Sequence, residues 1–189
     1  MSNAALNAAD IVFLLLDAAG GSIIGRTVLQ KILYFASVKE HLPLNFRPHY
    51  YGPYSAEVTG ALDDATAAGL IREQVDSYAT TGLMGPSSRR RYTYSIEPGG
   101  EEIVLSLIRD HKVVRDNLIA LVARCQENSN LDPKTLSWAA KVHFITTNEG
   151  RPMTHDEIRA TARDFHWQIS PLQVESAEQI LRDLALLTS

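Results

Sequence analysis

The segment 25–100 constrains the fold of this chain most strongly, because helix and strand patterns follow one another there in a fixed order. Apolar residues recur at helical spacing over 27–41, with Gln30 and Lys31 on the opposite, polar side. A second helical pattern covers 55–70 and begins at a serine suited to cap it. Two runs with strand character follow at 71–78 and 90–96, and the small, polar stretch between them predicts a loop too long for a tight hairpin.

This order of elements is typical of a winged helix-turn-helix domain. The helix over 27–41 would be the second helix of that domain, and the two strands would form its wing. The recognition helix would cover 55–70, and an apolar first helix at 8–19 would precede the pair. We therefore predict a mainly α fold of the α+β class. It consists of a winged helix-turn-helix with a small antiparallel wing hairpin at 1–100 and a C-terminal helical subdomain at 101–189.

The second half is almost purely helical. Its longest predicted helix, 101–127, links the two domains and repeats apolar residues at spacings of three and four, as in a heptad seam. Such a seam serves either packing within the monomer or a dimer, and both alternatives stay open. Three shorter helices follow, and the segment 154–187 has the rhythm of a second, wingless helix-turn-helix. Their predicted starts are Asp132-Pro133, Thr154 with Glu157, and Ser170 with Gln173.

The charge of the chain excludes a global attraction to phosphates. The 18 Lys and Arg stand against 22 Asp and Glu, for a formal net charge of −4, so a nucleic-acid partner would need a local basic patch. The one cysteine, Cys125, excludes an internal disulfide and is predicted to be a small buried residue. The most apolar run, 11–16, is much too short to cross a bilayer and has no basic stretch before it, so we expect a cytoplasmic protein.

Four segments carry a resemblance to known families: LQKILYFA, YGPYS, LDDATAAGLI and YTYSIEPGGEEI. Together they resemble the YwgA-type bacterial and archaeal winged-helix proteins. The first two are also similar to the SocA/Panacea antitoxin-like family, whose members open with a LQKLLYFA-plus-GP pattern. The last segment resembles the Y-x-L-T-x-x-G close of many winged-helix regulators, with Ile96 and Glu97 where Leu and Thr are usual. The resemblance covers 25–102 and implies a winged helix, and none of its motifs is catalytic.

The predicted recognition helix has an unsuitable charge for reading a DNA groove. It carries Glu57, Asp63 and Asp64 and no Lys or Arg. With the apolar side of the helix turned inward, these carboxylates would face outward and repel the phosphate backbone, which supplies most non-specific affinity. Positive charge is concentrated instead at 89–91, in the predicted wing.

The leading hypothesis is a non-enzymatic regulator of transcription that binds double-stranded DNA through its wing, as a homodimer joined by the long helix. Arginines beside a flexible loop suit contacts to phosphate or the minor groove. Equally, they are solvated charges that protect a hairpin edge from aggregation. The predicted DNA-contacting residues are Arg89, Arg90, Arg91, Arg47, His49, Tyr54 and Ser55.

The alternative hypothesis is a protein-interaction module, such as an antitoxin or a proteolytic adaptor, that uses the same scaffold without binding DNA. An acidic helix and an aromatic turn would then meet a protein. For the turn itself a structural role is the stronger interpretation, with Tyr50 and Tyr54 buried against the second helix. The predicted protein-contacting residues are Glu57, Asp63, Asp64 and Tyr51.

Catalysis, a metal site and a cofactor find no support in the sequence. The six histidines include no H-E-x-x-H motif and no pair spaced for a metal on one helix face. No P-loop, G-x-G-x-x-G or G-x-S-x-G motif is present. We therefore expect a protein without enzymatic activity, metal or cofactor.

Overall fold

The computed structural model describes residues 5–82 and 85–187 and, within them, the side chains outside 78–89. Helices dominate this part of the chain, and one short strand and two strands of 12 residues accompany them. In chain order the elements are α1 Ala8–Ala18, β1 Ser22–Ile24, α2 Arg26–Glu40, α3 Ala56–Ala67, β2 Ile71–Gly82, β3 Gly85–Ile96, α4 Pro98–Asp110, α5 Lys112–Ser129, α6 Pro133–Glu149, α7 His155–Asp164 and α8 Pro171–Asp183.

The strands form one antiparallel sheet in the order β1-β3-β2. The β2–β3 ladder runs from the pair Ile71 and Ile96 to the pair Gly82 and Gly85. On the other side of β3, Ile23 of β1 faces Tyr94. A mainly helical chain with a small antiparallel sheet confirms the predicted α+β class.

Two features of the sheet differ from the sequence-based prediction. Strand β1 was not predicted, because three residues between glycines are too few to display a periodicity. The loop predicted between the wing strands is wrong for its backbone, because 79–82 pairs with 85–88 and continues the ladder. Backbone hydrogen bonds hold such a ladder together, so apolar side chains are not required to extend it.

The single helix predicted over 101–127 is instead two helices, α4 and α5, with a break at His111 (φ −128°, ψ 37°). Both α4 and α5 pack against α1. A straight helix from the start of α4 to the end of α5 would be about 48 Å long, against about 17 Å for the 11 residues of α1. The chain must therefore change direction at the break so that both helices can pack on α1.

The heptad seam is used for packing within the monomer. Val104 of α4 and Leu118, Leu121 and Cys125 of α5 are all buried in the common core. The prediction for Cys125 is thereby confirmed, and burial raises the pKa of its thiol to about 12. A homodimer stays a prediction, and it would need a surface other than this seam.

Helix α1 lies at the centre of the molecule, as its continuous apolar run predicts. Six consecutive residues, 11–16, are buried, and the helix packs against α3, α4, α5 and the sheet. Residues of both predicted domains, from Ile11 to Leu184, belong to one buried cluster, so residue 100 does not mark a break in the core.

The predicted helix starts are confirmed in the C-terminal half. The Asp132 side chain accepts a hydrogen bond from the Thr135 N–H, and capping boxes form at Thr154 and Ser170. Each cap satisfies backbone N–H groups that the helix leaves unpaired. No helix formed by the described residues combines the length and apolarity that crossing a bilayer requires.

Replacing Gly100 by alanine is expected to lower the free energy of unfolding by about 3 kcal/mol. A Cβ at this position would lie 2.5 Å from the carbonyl oxygen of Leu70 and 3.1 Å from side-chain carbons of Ile96 and Phe13. Gly99→Ala is the matched control, since its Cβ would meet only a flexible leucine side chain, at 3.3 Å. Urea denaturation compares the variants, and an equal loss at both positions would contradict the clash.

Candidate interaction surfaces

The turn after α2 is bound to that helix by a buried glutamine. Gln30 donates from Nε2 to the carbonyl oxygen of Ser55 at 2.9 Å and accepts from the Ser55 N–H at 2.9 Å. The same amide nitrogen lies 3.2 Å from Oγ1 of Thr59 on α3. Gln30 thus joins α2 to the first turn of α3, and it contributes both a donor and an acceptor.

A buried lysine makes the second link to the turn. Lys31 is 1% exposed, and its Nζ donates to the carbonyl oxygen of Pro53 at 2.5 Å. Burial, together with the neighbouring charge of Lys141, lowers the pKa of Lys31 to about 7. Lys141 lies against Gly52 and over the ring of Trp167, 5.4 Å from its centroid. Two lysine side chains therefore share the space beneath the turn.

The sequence-based placement of Gln30 and Lys31 on a polar face is wrong. Nine consecutive residues of α2, 28–36, are buried, so this helix is enclosed on all sides. Helical periodicity detects a helix with one solvent-exposed face, and it cannot identify polar side chains that hydrogen-bond inside the core. The useful signal was the polar pair standing within an otherwise apolar run.

Helix α6 and the segment before α8 hold the turn from its other side. The Tyr34 hydroxyl of α2 lies 2.8 Å from Nδ1 of His143, and burial lowers the pKa of that histidine to about 4. Trp167 donates from Nε1 to the carbonyl oxygen of His49 at 2.7 Å. The LQKILYFA and YGPYS segments are therefore two halves of one buried hydrogen-bonded unit, which gives both motifs a structural role.

This unit removes Ser55 from the predicted DNA-contacting residues. Ser55 is fully buried, and its hydroxyl caps α3 by accepting from the Val58 N–H. Tyr54 is half-buried and donates its hydroxyl to Thr59. Tyr50 is 72% exposed, so the prediction that it is buried against the second helix is wrong. Gly52 and Pro53 anchor the turn in place of that tyrosine.

The outer surface of α3 is acidic, as predicted. Val58, Leu62 and Ala65 are buried, and Glu57, Asp63 and Asp64 are exposed on the outside. The Glu57 carboxylate accepts from the Asn45 side chain at 2.8 Å. This helix packs on β2, at one edge of the sheet.

The structure describes the predicted basic residues only in part. Arg90 and Arg91 are exposed on β3, whereas the side chain of Arg89 lies outside the described residues. Arg47 and His49 are exposed on the turn segment, where the backbone of Arg47 bridges to Tyr54. The predicted basic residues are thus spread over two segments, β3 and the turn.

A groove of about 1090 Å³ lies between β1, the Arg90 end of β3 and α5, at the edge of the sheet opposite to β2. Three of its large apolar or aromatic lining side chains are exposed: Ile24 (57%), Tyr51 (58%) and Ile119 (37%). Arg26, Arg90 and Arg91 also line it, and no carboxylate does. The sequence places these residues far apart, and it predicted none of this convergence.

The positive charge of two groove arginines, Arg26 and Arg91, is partly compensated by acidic residues of β2. Arg26 forms an ion pair with Glu73 at 2.9 Å and donates to the Tyr94 hydroxyl at 2.7 Å. Arg91 stands directly across the ladder from Asp76. Within the described part of the chain, Arg90 forms no ion pair and is exposed.

No three His, Cys, Asp or Glu side chains of the described residues converge to hold a metal ion. No protein-family model matches this chain, and no curated protein matches it significantly. Function is therefore inferred from the chemistry of the surfaces described above.

Proposed function

We propose that this protein is a protein-binding module on a winged helix-turn-helix scaffold, of the kind that antitoxins and proteolytic adaptors represent. One observation carries the proposal: Ile24, Tyr51 and Ile119, which come from three separate elements, expose apolar surface within one groove. Convergent exposed apolar side chains with a polar rim are typical of protein-interaction sites.

The scaffold assignment is supported by the order of elements. A helix, a strand, two helices and a two-stranded wing follow one another, and the first strand joins the wing as the third strand of the sheet. In this interpretation α3 has the position of the recognition helix. Because its outer face bears Glu57, Asp63 and Asp64, a duplex placed against it would bring phosphates towards three carboxylates.

DNA binding through the wing is the second candidate, and the exposed guanidinium of Arg90 on β3 favours it. A single wing can contact phosphate or the minor groove without help from α3. Two observations make this the weaker candidate: Ser55 is buried, and Arg91 stands beside Asp76. A homodimer and a role in transcription belong to this candidate.

Site-specific photocrosslinking in the native host tests the proposal. A benzophenone amino acid at position 119, in the groove, is expected to capture one defined protein, whereas the same group at Leu105, exposed on α4, is not. The captured protein is then purified, and it should bind the unmodified chain and lose at least ten-fold in affinity for Ile24→Asp.

Fluorescence anisotropy with duplex DNA tests the second candidate in parallel. We expect no binding at low salt. Duplex binding that weakens steeply with salt and is lost in Arg90→Ala, together with no specific capture at position 119, would overturn the protein-binding proposal in favour of DNA binding.

A further inference from the structure

We propose that the groove receives an extended segment of the partner protein, which adds to the free edge of β1 as a fourth strand and carries acidic residues. This inference rests on the protein-binding function proposed above and specifies how the groove is used. Its evidence is the hydrogen-bond direction along β1, the surface facing that edge, and the charge at the rim.

The direction of the backbone groups of β1 follows from its neighbours. Gly25 N–H donates to the Tyr92 carbonyl at 2.7 Å, and Ile96 N–H donates to the Gly21 carbonyl at 3.0 Å. In an antiparallel pair, successive residues alternate between bonding to the partner strand and pointing away from it. Ile23 therefore bonds towards β3, and the N–H and C=O groups of Ser22 and Ile24 point outward.

That outward edge borders the groove. All three residues of β1 line it, and Ser22 and Ile24 are exposed. Ile119 and Val122 of α5 line the same groove. A volume of about 1090 Å³ slightly exceeds the range of small-molecule pockets, about 300–1000 Å³, and the groove is open, so it suits a length of polypeptide.

An extended segment matches this surface in its side chains as well. Alternate residues of a strand point to opposite faces, so one set would contact the apolar side chains of Ile24 and Ile119. The other set would face the rim. There Arg90 forms no ion pair with a described residue, and none of the described residues that line the groove is a carboxylate. Carboxylates are the complementary charge.

Because β1 is short, backbone and side-chain contacts have different roles in binding the segment. Two outward-facing residues offer two N–H and two C=O groups, too few to hold a strand by backbone bonds alone. Short edge strands also discourage unspecific pairing. Main-chain bonds then provide orientation, while the apolar and acidic side chains select the partner, as in other cases of strand addition.

The probe is a capped eight-residue peptide of alternating valine and glutamate, used with the full-length chain at neutral pH. Its binding is expected to slow hydrogen exchange at the amides of Ser22 and Ile24. The amide of Val75, which points outward from the opposite edge at β2, should be unaffected and serves as the internal control. Equal protection at Val75, or no binding, would overturn the proposal.

Two altered peptides separate the backbone from the charge. N-methylation of alternate valines removes the edge-pairing N–H groups and is expected to weaken binding at least ten-fold. Exchange of glutamate for lysine is expected to weaken binding similarly. Arg90→Ala in the protein should reduce the preference for the glutamate peptide over the lysine peptide. Unchanged affinity of the N-methylated peptide would overturn strand addition, and equal affinity of the lysine peptide would overturn the acidic specificity.

Ile24→Pro supplies the matched change in the protein. It deletes one outward N–H without touching a bond to β3, and proline is tolerated on edge strands in such positions. We expect weaker binding of the glutamate peptide by Ile24→Pro than by Ile24→Val, with circular dichroism verifying the fold of both. The partner that crosslinks at position 119 is then tested with the Ile24→Pro variant. If the variant binds this partner with unchanged affinity, strand addition is refuted and the protein-binding function is retained.

Discussion

Replacing Gln30 by leucine is expected to lower the free energy of unfolding by about 3 kcal/mol. The side chain is buried and exchanges two hydrogen bonds of 2.9 Å with the backbone of Ser55. Leucine has a similar volume but neither donor nor acceptor. It would leave the N–H of Ser55 unpaired in the core, which costs about 1–3 kcal/mol. The Ser55 carbonyl would lose the shorter of its two hydrogen bonds and keep the one from the Thr59 N–H at 3.4 Å.

Urea denaturation followed by circular dichroism measures this effect. Gln74→Leu is the control, because Gln74 is exposed on β2 and its substitution should change stability by no more than about 0.5 kcal/mol. A similar small change at Gln30 would mean that the turn holds its geometry without the buried amide. That result would contradict the structural role assigned to the LQKILYFA and YGPYS segments.

The stability of the protein relative to Lys31→Met is expected to rise by about 4 kcal/mol between pH 7 and pH 10.5. Burial and Lys141 lower the pKa of Lys31 to about 7 in the folded chain, from the ordinary lysine value of 10.5 that the unfolded chain keeps. Between these values the unfolded chain binds the additional proton, so the free energy of unfolding increases with pH. Below about pH 7 the full cost of the buried charge is present.

Denaturation curves at several pH values, measured for both proteins, yield this difference. The comparison with Lys31→Met matters because other groups also titrate in this range, among them the buried thiol of Cys125. Lys134→Met is the control, since Lys134 is exposed at the start of α6, and it should keep the pH dependence of the unmodified chain. A pH-independent difference between the chain and Lys31→Met would refute a neutralised, buried amine.

Much of the local structure could be predicted from the sequence, because local interactions decide it. Ser55, Asp132, Thr154 and Ser170 cap helices where the pattern placed them, through hydrogen bonds to residues three positions away. The acidic outer face of α3 followed in the same way from helical spacing. The candidate sites depend on more distant contacts: the sequence did not predict that Arg90, Arg91 and Tyr51 line one groove, nor that Ser55 is buried.

The errors share one cause, which is that non-local packing overrides the local pattern. Gln30 and Lys31 fall on a polar face of an isolated helix, yet α6 and the turn enclose them. The heptad pattern continues through His111, yet the helix breaks there, and α4 and α5 both pack on α1. Tyr50 was expected to anchor the turn, which Gly52 and Pro53 anchor instead.

Local sequence patterns were sufficient for the helical class, the starts of α3, α6, α7 and α8, the acidic surface of α3 and the apolar first helix, since spacing and capping act within a few residues. Packing between distant elements, in contrast, places Ile24, Tyr51 and Ile119 in one groove and directs the backbone groups of Ser22 and Ile24 outward from β1. Those features depend on contacts between elements far apart in the chain, and no local pattern encodes them. The proposed binding surface is therefore a property of the fold rather than of any one segment.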